Sequence, residues 1–236
     1  MDGELTLVHD RRVTERFPGH ATAAVRVRAD GPVAPREGAV EELRARVGAD
    51  GGLDVARASG AAWRDVYAGM GAKPKYLPSV QALLETYEAT GAVPVPVPLV
   101  ELYCWFSLAR GIPMAGYHAA AIVGTLRLTV PGKGLPFTAI GHANAQPERT
   151  RSGEVAYVDD EKVVCRYWNC RDCDQTKLEP GVADVLFVFD LLDKPRLAGP
   201  DAASDVLDEF TELLDGSPAT SRAVVDGVRD ESAALT

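Results

Sequence analysis

Residues 99–110, LVELYCWFSLAR, narrow the choice of fold more than any other stretch. Pro98 precedes them and Gly111 follows, the usual punctuation of a helix. The segment is apolar nearly all round, and such a helix belongs between layers, not on a surface. Elements must therefore lie on both sides of it. Residues 4–9 (ELTLVH) and 22–29 (TAAVRVRA) alternate as strands do. Residues 36–47 carry a helical stripe through Val40, Leu43 and Val47, closed by Gly48. Residues 61–70 place Trp63, Val66, Tyr67 and Met70 on one helical face. Residues 79–90 do the same with Val80, Leu83, Leu84 and Tyr87, between Ser79 as N-cap and Gly91 as terminator. Strand patterns then return at 124–130 and 137–140, in a hairpin of 153–159 with 162–168, and at 184–192. Residues 201–214 read as a last helix. Strands, then helices, then strands again argue for an α+β fold rather than repeating βαβ units. One domain over 1–215 is expected, with residues 1–60 integrated into it. The polar stretch 142–152 is expected to be mobile, and the apolar-poor tail 216–236 flexible.

Net charge decides which partners are plausible. The chain of 236 residues carries −9, which argues against non-specific binding to DNA or to anionic membranes. No apolar run is long enough for a membrane span, and the N-terminus lacks a secretory pattern, so a cytoplasmic protein with reduced thiols is expected. A local basic face remains possible in mid-chain, where Lys73, Lys75, Arg149, Arg151, Lys162, Arg166, Arg171 and Lys177 fall.

The stretch 163–176, VVCRYWNCRDCDQT, departs from both strand and loop composition. An apolar strand runs into Arg166, Trp168, Asn169, Arg171, Asp172 and Asp174. Crowding of that kind is expected where side chains face a pocket. Cys170 and Cys173 have the spacing of a metal knuckle, but a structural zinc needs four ligands and the nearest fourth, Cys104, sits on the buried helix. No metal and no cofactor are expected. The four histidines are scattered, and no serine sits in a nucleophile elbow. Hydrolysis, if the protein performs it, would use a bound water, with Asp174 orienting it or holding a substrate amine. A structural alternative is that Arg166 and Arg171 pair with Asp172 and Asp174.

Three segments taken together, WRDVYAGMGAKPKYLPSVQALL, PLVELYCWFSLARGIPMAGY and GEVAYVDDEKVVCRYWNCRDCDQTKL, resemble the B3/B4 family. That family comprises the editing domain of the bacterial phenylalanyl-tRNA synthetase β subunit and free-standing proteins. The resemblance covers roughly residues 5–214 in the free-standing form. It implies a three-layer α+β fold with a β-sandwich core and flanking helices, and hydrolysis of the ester in a mischarged aminoacyl-tRNA, of which canavanyl-tRNA(Arg) is one known type. Asp174 matches the acidic position of the editing pocket and is the expected catalytic residue. Substrate contacts are expected from Tyr117, His118, Arg166, Trp168, Asn169, Thr176 and Glu101, and tRNA contacts from Lys73, Lys75 and Arg171. The sequence departs from the family pattern at Ala115, where a histidine is usual, at His118, where an aspartate is, and at Val97 and Cys104, where asparagine is common. A monomer acting in trans on aminoacyl-tRNA is expected; a non-catalytic tRNA- or amino-acid-binding module with the same pocket is the alternative.

Overall fold

The computed structural model describes residues 4–93, 95–143, 145–192, 202–216 and 218–236. The early strands are β1 (Leu5–His9) and β2 (His20–Arg28), separated by a short helix α1 (Arg11–Arg16). Asp10 starts α1 by accepting from the Arg12 backbone N–H. Four helices follow: α2 (Ala39–Gly48), α3 (Asp54–Gly69), α4 (Ser79–Thr90) and α5 (Pro98–Arg110). Helix α3 starts at Asp54, earlier than its aromatic stripe, because Ala56, Ser59 and Gly60 also face inward. The strand-rich half contains β3 (Met114–His118), β4 (Thr125–Thr129), β5 (Pro136–Phe137), β6 (Glu148–Arg149), β7 (Ala156–Val158), β8 (Val163–Arg166), β9 (Arg171–Asp172) and β10 (Asp184–Leu192). Helix α6 (Ala203–Thr211) and strands β11 (Ala219–Val225) and β12 (Ser232–Leu235) complete the chain.

Six strands form one sheet in the order β12-β1-β4-β7-β8-β9, and four form a second in the order β11-β2-β10-β3. Alternation along β10 sorts the layers. Phe187 and Phe189 turn to the helices and pack edge-to-face on Phe210 of α6, with Phe106 of α5 in the same cluster. Asp190 turns the other way, to the six-stranded sheet, where it accepts from the Tyr157 hydroxyl at 2.6 Å. The result is three layers: sheet, sheet and helices. Helix α5 packs against α2, α3, α4 and β3, as its apolar circumference requires.

Two expectations fail here. The segment after residue 215 is not loose: β11 pairs along the whole inner length of β2, and β12 along β1, so both close a sheet edge. Ala223, Val225 and Leu235 are their buried apolar side chains. A strand needs only alternate apolar positions when one face is covered, so low apolar content did not mean disorder. The polar stretch around residue 148 likewise holds β6, paired with β5. The expected final helix at 201–214 is shorter, and Asp201 lies outside the described residues. Among the described residues no helix is long and apolar enough to cross a membrane.

His9 and His20 are buried where the sheets meet, with Nε2 of His9 3.4 Å from Nδ1 of His20. Burial, reinforced by His20, lowers the His9 pKa from 6.5 to about 3. The unfolded chain therefore binds a proton below pH 6.5 that the folded chain refuses. Stability from His9 is full above pH 6.5 and is lost as pH falls toward 3. Between pH 6.5 and 4.5 the wild type should lose on the order of 2 kcal/mol more than His9→Gln, measured by urea unfolding at each pH. Equal losses in the two proteins would show that His9 is not kept neutral by the fold.

Candidate active site where two sheet edges meet

Much of the polar cluster in 163–176 turns out to be core. Between β8 and β9 the chain reverses through Tyr167 and Trp168, both left-handed, with φ of 49° and 68°. Non-glycine residues pay strain for that conformation, so packing must hold it. Trp168 is fully buried, ring edge against His20, Trp63 and Phe17. Its Nε1 donates to Asp190 Oδ1 at 3.2 Å. Asn169 donates through Nδ2 to Asp190 Oδ2 at 3.0 Å, and its Oδ1 accepts from Tyr67 at 3.0 Å. Arg166, 2% exposed, forms a two-pronged pair with the equally buried Glu154 at 2.9 and 2.8 Å, and reaches Glu148 with its remaining nitrogen. Arg171 also pairs with Glu148. The expected pocket contacts of Arg166, Trp168 and Asn169 are thus replaced by structural ones. The alternative pairing of these arginines with Asp172 and Asp174 is not seen either, because the carboxylates of Glu148 and Glu154 are nearer.

Those ion pairs leave Asp172 and Asp174 to other partners. Asp172 lies on β9, the edge strand of the six-stranded sheet, directly opposite Cys165 of β8. Strand β3 is the edge of the other sheet, and its Tyr117 hydroxyl donates to Asp172 Oδ1 at 2.9 Å. The two sheet edges therefore meet through one carboxylate. Burial raises the Asp172 pKa, while hydrogen bonds from Cys165 and Tyr117 act to lower it. Among the described residues no cation pairs with it, yet the residue keeps partial exposure. Asp174 is two residues away across the extended Cys173. Its Oδ1 accepts from Lys177 Nζ at 3.1 Å and from the Gly141 N–H at 3.3 Å, and those contacts, Lys177 first, lower its pKa. One carboxyl is thus pushed up and its near neighbour down, which suits them to different roles.

Two of the thiols are poor nucleophiles. Burial pushes Cys104 up to about 12, and Cys165 well above its ordinary value, with Asp172 adding to both. Cys173 points to the opposite side, into a small cluster with Phe137, Ala139, Ala156 and Val163, and its sulfur meets the Thr176 hydroxyl at 3.0 Å. Thr176 is therefore buried away from Asp172. Among the described residues no three His, Cys, Asp or Glu side chains converge as a metal site would need.

Tyr117 and Asp174 stand at the site edge, and His118 follows Tyr117 at the end of β3, half-buried. Ala115 lies on the same strand and is buried. Glu101 pairs with Arg44 of α2 and accepts from Trp105, so its carboxylate is committed elsewhere. Lys73 and Lys75 are exposed in the loop between α3 and α4. Cys165, Lys177 and Gly141 were not expected as site residues; Asp172 was expected only as a member of the polar cluster, with no role of its own. A carboxylate two positions before Asp174 in an extended run was the available signal for Asp172. A cleft of about 450 Å³ opens on the other side of Cys173, lined by Phe137, Thr138, Val158, Lys162 and Gln175 among others; it includes none of the expected site residues.

The fold is an α+β sandwich flanked by helices, with Asp172 and Asp174 where the strand β9 meets the 138–140 segment. The chain belongs to the B3/4 domain family, whose profile matches residues 62–210. Among solved structures it is similar to the crystal structure of an N-terminal fragment of the phenylalanyl-tRNA synthetase beta-subunit from Pyrococcus horikoshii, at 8% identity and a TM-score of 0.45. The match covers 94% of this chain and 54% of that one, so this chain spans about half the length of the fragment. A search of curated proteins gives no match.

Proposed function

We propose that the protein hydrolyses the ester of a mischarged aminoacyl-tRNA, acting in trans on tRNA already released from a synthetase. Membership of the B3/4 domain family supports the substrate class. The observation that carries the reading is the placement of Asp172, bonded by the Tyr117 hydroxyl where the two sheet edges meet, with Asp174 two residues on and bonded by Lys177. An ionised carboxylate below its ordinary pKa is a weak base but a good anchor for a cation. Asp174 takes the α-ammonium group of the aminoacyl ester, displacing Lys177 Nζ. Asp172, raised toward the working pH, is the better proton acceptor. It receives a proton from a water whose oxygen bonds to the ester carbonyl carbon; the ester C–O bond then breaks, and Asp172 returns that proton to the departing ribose oxygen and is a carboxylate again. The Tyr117 hydroxyl holds Asp172 in place. An aminoacyl ester is already activated, so positioning and one base suffice. Thus Asp174, expected as the catalytic residue, becomes the anchor. Lys73, Lys75 and Arg171 are assigned to tRNA.

The test mixes the whole protein with a panel of mischarged tRNAs. Deacylation above the spontaneous rate is expected for at least one. On that tRNA, Asp172→Asn should lower kcat about a hundredfold with KM little changed. Asp174→Ala should act mainly on KM, raising it about tenfold. Unchanged kinetics in both variants would remove these roles. A second reading, binding without hydrolysis, draws on Ala115, which stands where the family usually has a histidine. It predicts no acceleration on any mischarged tRNA, together with a thermal shift on adding the free amino acid.

A further inference from the structure

Surface cations of this acidic chain are not all treated alike. Arg36 ahead of α2, Arg44 and Arg46 on α2 and Arg57 on α3 are each held by a carboxylate. Lys73 and Lys75, by contrast, and Arg149 and Arg151, make no ion pair among the described residues, and all four are exposed. Long-range contacts bring together the loop and the turn that carry these two pairs. Arg16, itself exposed, donates at 2.7 Å to the Gly69 carbonyl at the end of α3 and at 2.7 Å to the Gly153 carbonyl in the turn before β7. One guanidinium thus spans the gap between the 70–78 loop and the 149–153 turn. A second tie is aromatic: Tyr76, half-exposed, stacks on Tyr167 with centroids 4.0 Å apart and planes 24° from parallel. Lys75 Nζ lies 5.1 Å from the Tyr76 ring. Two carboxylates beneath this face, Glu148 and Glu154, are already neutralised by Arg166 and Arg171.

We propose that this face is a track for an RNA strand, with Lys73, Lys75, Arg16, Arg149 and Arg151 on its phosphates and Tyr76 as a stacking platform for a base. It rests on the function proposed above and deepens it, since it extends the RNA surface beyond Lys73, Lys75 and Arg171, the last of which pairs with Glu148 beside Arg149. Unpaired cations in a chain of charge −9 call for an anionic partner. A half-exposed ring already stacked on one side favours nucleic acid, because bases stack on aromatic faces with little regard to sequence. An anionic membrane would also want apolar side chains to insert, and neither the 70–78 loop nor the 149–153 turn exposes a large one.

Binding of uncharged tRNA, which carries no ester, reads this surface separately from hydrolysis. Fluorescence anisotropy with the full chain from 50 to 300 mM KCl is the measurement. Lys73→Gln/Lys75→Gln and Arg149→Gln/Arg151→Gln should each weaken binding at least tenfold at 100 mM KCl. Each should also cut the slope of log affinity against log salt by about two. Tyr76→Ala should cost about tenfold with the slope unchanged. Arg36→Gln/Arg57→Gln, which removes two paired cations, should leave affinity within twofold. Equal losses in that control, or tighter binding to anionic vesicles than to tRNA, would overturn the track. Binding with these properties and no hydrolysis of any mischarged tRNA would uphold the track and remove the proposed activity.

Discussion

Asp190→Ala should lower the free energy of unfolding by about 4 kcal/mol, read from urea unfolding followed by tryptophan fluorescence. The reason is the number of donors that end on this one buried carboxylate. Tyr157, Trp168 and Asn169 all donate to it, and His20 Nε2 lies 3.3 Å from Oδ1. Alanine would leave Trp168 and Asn169 Nδ2 in a dry interior without this acceptor, each at a cost of roughly 1–3 kcal/mol before relaxation, and Tyr157 with only the Thr22 hydroxyl. The contacts come from β2, β7 and the β8–β9 turn, so the loss is spread over the interface of the two sheets. Asp190→Asn keeps the shape but turns a donor toward donors, and should cost about half as much. A loss below about 1 kcal/mol for the alanine variant would mean that water reaches these groups and that the network does not hold the layers together.

Arg166→Met is the second large effect, expected at roughly 3–5 kcal/mol. Glu154 is 1% exposed and would stay buried without its partner. The double variant Arg166→Met/Glu154→Leu removes both charges and should recover most of the loss, since a buried pair is often replaceable by apolar groups of similar volume. This pair of variants separates a structural arginine from a substrate-binding one. If Arg166 contacted substrate, Arg166→Met would leave stability nearly intact, and the double variant would rescue nothing.

These two residues also mark where sequence reasoning reached its limit. Arg166, Trp168 and Asn169 look like pocket residues because large polar groups at a strand end have no local use. Their partners are Glu154, Asp190 and Tyr67, between 12 and 102 positions away. A polar side chain in the core and one in a pocket have the same composition signature; only the presence of a partner tells them apart. The family resemblance singled out Asp174. The role proposed for Asp172 was not legible, because it depends on burial between two sheet edges and on the Tyr117 hydroxyl.

What the residue order determined alone is local and periodic. The all-round apolar helix α5, the stripes of α3 and α4, the core strand β10 and the α+β class follow from spacing, because burying a face needs a repeating pattern that survives in one dimension. Tertiary structure decided everything that depends on who meets whom: the pairing of β11 and β12 with the first two strands, the inward turn of Trp168, and the opposite shifts of two aspartates two residues apart. The physical reason is that pairing energy and desolvation belong to neighbours in space, and those neighbours are set only when the sheets close on each other.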